Sequence, residues 1–159
     1  MPIASDIVQS WHRPRAVLRR RLDTAREADA LAILMAACGL IFVSQWPGLA
    51  RAAHLDPSIP LDARMGGALF GTVFLLPPLA YGLAGLSHLV ARALGGRGDG
   101  LGARMALFWA LLVISPLMLL QGLVAGFIGH GPALTLLGAL VGLAFLLQWG
   151  LALIEAEHG

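Results

Sequence analysis

The sequence predicts an all-α fold: a polytopic membrane helical bundle of four spans behind a basic amphipathic N-terminal segment. Three observations predict it. Four apolar runs, Ala30–Trp46, Gly66–Ala91, Met105–Ile128 and Ala133–Ile154, hold no Asp, Glu, Lys or Arg, and a spanning helix needs roughly 20 mainly apolar residues. The chain is 58% hydrophobic and 13% charged, against about 45–50% and about 25% in soluble domains. Its basic residues are all arginines, and most of them sit beside the runs rather than in them. A length of 159 residues leaves room for one bundle and no separate soluble domain. Residues 1–28 are expected to form a cytoplasmic segment and residues 29–159 the bundle, with spans near 30–47, 66–91, 105–128 and 133–154.

The N-terminal segment reads as a helix. Asp6 followed by Gln9 resembles an N-cap with its partner, and Ile7, Trp11, Pro14, Leu18, Leu22 and Ala25 recur at helical spacing. Pro14 removes a backbone donor, so a helix starting there is the alternative to one starting at Asp6. Trp11, Arg13, Arg15, Arg19, Arg20, Arg21 and Arg26 are the candidate membrane-surface residues. Trp11 and Leu18 would lie in the acyl boundary and the guanidiniums among anionic lipid phosphates. The long polar lead argues against a cleaved signal peptide, so the first span is expected to remain in the mature chain.

Loops fix the orientation. Trp46 and Pro47 mark the outer end of the first span, and the turn-rich Asp56-Pro57-Ser58-Ile59-Pro60 is expected to hold no long helix. The loop between the second and third spans is glycine-rich from Gly95 to Gly102. It lacks the spacing and lysine of a phosphate-binding loop, and reads as a flexible connector with snorkelling arginines. Gly129-His130-Gly131-Pro132 is so short that the third and fourth spans must be antiparallel neighbours. With the N-terminus inside, nine arginines face the cytoplasm and only Arg51 and Arg64 face out. Both termini are therefore expected to be cytoplasmic. Heavy use of Ala, Leu, Gly and Arg without Lys or Asn points to a GC-rich bacterial genome, hence a bacterial inner membrane.

Inside the spans, small residues four apart let helices approach closely. Gly67 with Gly71, Gly122 with Gly126, and Gly138 with Gly142 are the candidate helix-packing pairs. Gly122 and Gly138, equidistant from His130, are expected to meet between the third and fourth helices, while Gly67 and Gly71 also suit a homodimer face. Pro77, Pro78 and Pro116 fall inside spans and are the candidate kinks.

Chemistry finds little support. The five histidines are scattered, and the clustered carboxylates Glu155 and Glu157 lie at the tail. Ser87 and His88 are adjacent and point to different sides of a helix, and no nucleophile–base or metal-ligand spacing occurs. No catalytic residue, cofactor or metal is expected, and no nucleic-acid partner. Cys38, the single cysteine, has no intrachain disulfide partner.

Tyr81-Gly82-Leu83-Ala84-Gly85-Leu86-Ser87-His88, the glycine-rich loop with Arg104, Ala106-Leu107-Phe108-Trp109-Ala110 and Ser115-Pro116-Leu117-Met118-Leu119 together resemble the bacterial branch of the YIP1 family. The resemblance implies an integral membrane protein with a cytoplasmic N-terminus, in a family whose eukaryotic members take part in vesicle trafficking and associate with small GTPases and with one another. It also implies five spans, so the second or third segment would have to break. The Asp-Leu-Tyr-Gly-Pro and Gly-Tyr-Gly motifs of trafficking members are absent, so GTPase binding is not carried over. The function expected is a non-catalytic membrane protein that assembles with itself or others, or organises the membrane. The alternatives are an accessory subunit of a respiratory or photosynthetic complex, and a small transporter or channel with proline-broken helices.

Overall fold

The computed structural model describes residues 3–158; Met1, Pro2 and Gly159, at the edges of the two expected units, lie outside the described residues. The order is α1 (Ile3–Ser10), α2 (Pro14–Leu22), α3 (Glu27–Leu55), α4 (Leu61–Leu69), a π-helical segment (Phe70–Leu75), α5 (Leu76–Ala93), α6 (Gly100–Phe127) and α7 (Pro132–His158). Four helical stretches are long and apolar enough to cross a membrane: Glu27–Leu55, Leu61–Ala93, Gly100–Phe127 and Pro132–His158. The shortest is 27 residues, about 40 Å at 1.5 Å per residue, so each can traverse roughly 30 Å of hydrocarbon and project into the headgroups. The π segment widens the second span without ending it, and no fifth span arises among the described residues.

Helix α6 is the axis of the bundle. Half of its apolar window is buried, against 17% for α7 and 22% for the second span. Its flanks are lined by Met105, Phe108, Trp109, Leu112 and Val113, which pack with Ile33, Leu34, Ala37 and Cys38 of α3, Ala80 and Ala84 of α5, and Ala152 of α7. Tyr81 meets Phe108 edge-on at 5.0 Å. Val17 and Leu18 of α2 belong to this same core. The expectation that Leu18 sits in the acyl boundary is therefore corrected: α2 crosses the end of the bundle and buries its apolar face on protein. The N-terminal segment is also two helices rather than one, because Pro14 supplies the first residue of α2 and Trp11–Arg13 forms the bend before it.

The prolines act by three different means. Pro116 cannot donate to the Leu112 carbonyl, and the Ser115 hydroxyl donates to that carbonyl instead at 2.6 Å, which keeps α6 continuous. Pro77 and Pro78 occupy the first turn of α5 and leave the carbonyls of Val73 and Phe74 without their usual donors. The backbone just ahead answers by widening into the π turn, where Leu76 N–H reaches back to Gly71 O. α3 runs through Pro47 to Leu55, beyond the outer boundary that Trp46 and Pro47 mark in the sequence. A Cβ on Gly126 would collide with Pro47, so that glycine makes the room in which the proline-bearing stretch packs.

Glycine closes two helices. After α5, Gly95 takes φ +95° and donates to Arg92 O, while Gly96 donates to Ala91 O at 2.8 Å; this is a Schellman cap, which needs the left-handed residue glycine tolerates. Gly129, at φ +86°, ends α6 with its N–H donating to Val124 O at 3.0 Å. Asp99 opens α6 by accepting from Gly102 N–H at 2.8 Å.

Candidate functional site

A group of charged and polar residues gathers where α1 and α2 pack on α6 and α7. Ser10, fully buried at the end of α1, donates its hydroxyl to Asp6 O at 2.8 Å and accepts from the Trp109 indole N–H at 2.9 Å. Its carbonyl accepts from the Gln148 amide at 3.0 Å. One small polar residue thus ties α1 to both α6 and α7. The buried Asp6 carboxylate accepts from Arg20 at 3.1 Å and Arg21 at 2.7 Å, clamping α2 to α1. The Arg21 guanidinium lies 4.1 Å over the Trp109 ring, a cation–π contact that α6 contributes to the same clamp.

Two carboxylates of α7 complete the lock. Glu155 accepts from Arg15 Nε at 2.9 Å and Arg19 Nε at 2.6 Å. The same bond pushes the Arg19 guanidinium further up from its ordinary range, because the carboxylate stabilises its charged form. Glu157 takes His88 Nδ1–H at 2.7 Å on one oxygen and Gly98 N–H at 3.2 Å on the other. Its backbone carbonyl accepts from Arg97 N–H at 2.8 Å. A Cβ at Gly98 would collide with Ala156 O, and one at Gly96 would come within 2.8 Å of Glu157 Oε2. The glycine-rich loop is therefore a fitted cradle around the last turn of α7, not a loose connector. Arg104 pairs with Glu27 beside it.

The candidate surface residues divide. Arg15, Arg19, Arg20 and Arg21 are directed to protein carboxylates instead of lipid phosphates alone, and Arg26 pairs with Asp29 at 3.4 Å. Trp11 and Arg13 are exposed at the α1–α2 bend. The candidate glycines also divide. A Cβ on Gly122 would strike Ser44 O, and one on Gly126 would strike Pro47. These two pack against α3, which corrects the expected contact of Gly122 with α7. Gly138 does face α6, but through the Gln121 side chain, 3.1 Å from its Cβ position. Gly67, Gly71 and Gly142 meet nothing within 4 Å. Their Cβ positions point into open space among the described residues.

Sequence reasoning passed over Asp6, Ser10, Glu155 and Glu157 as members of one site. The signal was charge complementarity: six arginines in one arm with few acids of their own, and two acids directly abutting the last apolar run on the same side of the bundle. Each of the cluster's carboxylates accepts from arginine, histidine or backbone N–H, and the Ser87 hydroxyl donates to Ala84 O, not to His88. Among the described residues no three His, Cys, Asp or Glu side chains gather as metal ligands. At the opposite end a cavity of about 420 Å³ lies between α3, α6 and α7, lined by Gln45, Arg51, Gln121 and His130; Arg51 donates there to Gly126 O at 3.3 Å.

Comparison with protein-family models, curated proteins and solved structures finds no match to this chain.

Proposed function

We propose that this chain is a non-catalytic integral membrane protein, of the kind its YIP1 resemblance suggests, which assembles with a second copy or with another membrane protein. The observation that carries this reading is the outer half of the second span. From Leu61 to Leu75 no residue is buried, and Gly67 and Gly71 face open space. Phe70 and Phe74 stack beside them at 6.0 Å. Lipid tails cover apolar side chains well, but two glycines one turn apart leave a trough that favours another helix backbone. The polar lock supports the same reading, since it consumes the charged groups in holding the chain's own helices together.

The nine arginines at the end that carries both termini, against Arg51 and Arg64 at the other, support a bacterial inner-membrane placement with both termini cytoplasmic. The test is a pull-down of the tagged chain from its native membranes in mild detergent, with cross-linking before extraction. A stoichiometric second chain is expected, lost in Gly67→Leu/Gly71→Leu with an unchanged melting temperature. Recovery of a monomer alone, with no cross-linked product, refutes the reading.

A further inference from the structure

Helices α5 and α7 both pack on α6, yet a cleft of about 500 Å³ separates them along the arginine-rich half of the bundle. Leu83, Leu86 and Val90 line one wall, and Leu146, Trp149 and Leu153 line the other. At its arginine-rich end the cleft meets a second cavity of about 560 Å³, lined by Gly95, Arg97, Gly98 and His158; Glu157 and His158 border both. One end is a hydrocarbon trough and the other is polar.

Length decides what fits. From Leu83 to Leu94 the α5 wall rises about 17 Å at 1.5 Å per residue, close to one leaflet's half of a roughly 30 Å hydrocarbon core. That is half the seat a partner's spanning helix needs, and about the length of one leaflet's acyl tail. Charge decides the head. Arg97 and Arg92 are exposed and form no ion pair among the described residues. The nearby acids are turned to other work: Glu157 is buried with its oxygens on His88 and Gly98, and Asp99 caps α6.

We propose that this cleft binds an anionic phospholipid, one acyl tail lying between α5 and α7 and the phosphate meeting Arg97, with Arg92 adding to the attraction. The site is separate from the glycine trough of the second span, so it stands whether or not the chain assembles through that trough.

The test is native mass spectrometry of the purified full-length chain in detergent, titrated with phosphatidylglycerol and, separately, phosphatidylcholine. Phosphatidylglycerol is expected to be retained in preference. Arg97→Gln should weaken it about fivefold and Arg92→Gln/Arg97→Gln about 30-fold, the equivalent of about 1 kcal/mol per arginine at an anionic surface. Gly150 lines the cleft and has open space at its Cβ position, so Gly150→Leu fills the trough without pressing on a helix and should lower binding of both lipids. Leu86→Trp fills it from the other wall and serves where Gly150→Leu does not fold. Equal retention of the two lipids, or undiminished binding in the cleft-filled variant, overturns the proposal. Displacement by inorganic phosphate at matched concentration also overturns it, since that identifies a soluble-anion site.

Discussion

Removing Glu155 and removing its two arginines break the same ion pairs, but they are not expected to cost the same. The Glu155 side chain is 1% exposed, while Arg15 and Arg19 are 49% and 66% exposed. In Glu155→Gln the volume is kept and both guanidiniums turn to water or lipid phosphate. The loss is then that of two largely solvated pairs at about 0.2–1 kcal/mol each, so about 1 kcal/mol in all. In Arg15→Gln/Arg19→Gln the buried carboxylate stays behind without its partners, which costs about 3–5 kcal/mol. The triple variant removes the stranded charge and should regain most of that loss, a coupling that the mutant cycle isolates. Amide hydrogen exchange over α2, read by mass spectrometry in nanodiscs, reports the opening of the arm. At tenfold per 1.4 kcal/mol, protection should fall about fivefold in Glu155→Gln and more than 100-fold in the double arginine variant. If Glu155→Gln loses as much as the arginine pair, or the triple variant is no better protected than the double, Glu155 is not the buried anchor of the arm.

Gly122→Ile and Gly126→Ile are each expected to cost at least about 1–2 kcal/mol, the scale of a lost interhelical contact, because their Cβ positions meet the backbone of α3; Gly142→Ile, facing open space, should melt like the parent in detergent. Trp109→Phe removes the donor to Ser10, shrinks a buried ring and weakens the Arg21 contact, and should lower the melting temperature by the equivalent of at least about 1 kcal/mol; a smaller shift refutes the indole's part in the clamp. The Ser58 hydroxyl and N–H hold the Asp56 carboxyl below its ordinary 3.8. A depressed carboxyl stabilises the loop above its ordinary pKa, and that contribution is lost as pH falls through the lower folded value. Ser58→Ala should therefore move the Asp56 titration upward in a carbon-detected NMR titration, and an unmoved midpoint refutes the assignment.

The spans were legible because hydropathy is additive along a segment. Four uncharged runs, each near bilayer length, leave few alternatives, and the helices found cover those runs, apart from Ile128, and reach beyond them, furthest where α3 continues to Leu55. The short Gly129–Pro132 link was legible for the same reason, since it leaves no slack. What sequence could not give was which face of each helix meets which neighbour. Gly122 and Gly126 carry the pattern of a close contact, but a glycine pair records only that something approaches. Distance along the chain favoured α7, whereas the space was occupied by Ser44 and Pro47 of α3.

The arginine-rich arm joins two readings that the sequence set apart, topology signal and protein contact. A guanidinium has five N–H donors, and Arg15 and Arg19 each direct their Nε–H to Glu155 while remaining exposed. The remaining donors stay at the surface, where lipid phosphates can accept them. Counting arginines bears on orientation alone and does not say how the arm is held, because exposed and anchored arginines count alike. The anchors are the acids, and an acid earns notice at a bundle's end when it directly follows an apolar run. Glu155 does so and Glu157 follows two residues on, so the two serve opposite flanks of α7. Glu155 holds the N-terminal arm, and Glu157 holds His88 and the glycine cradle. One turn of α7 thus closes the bundle at both the first and the middle third of the chain.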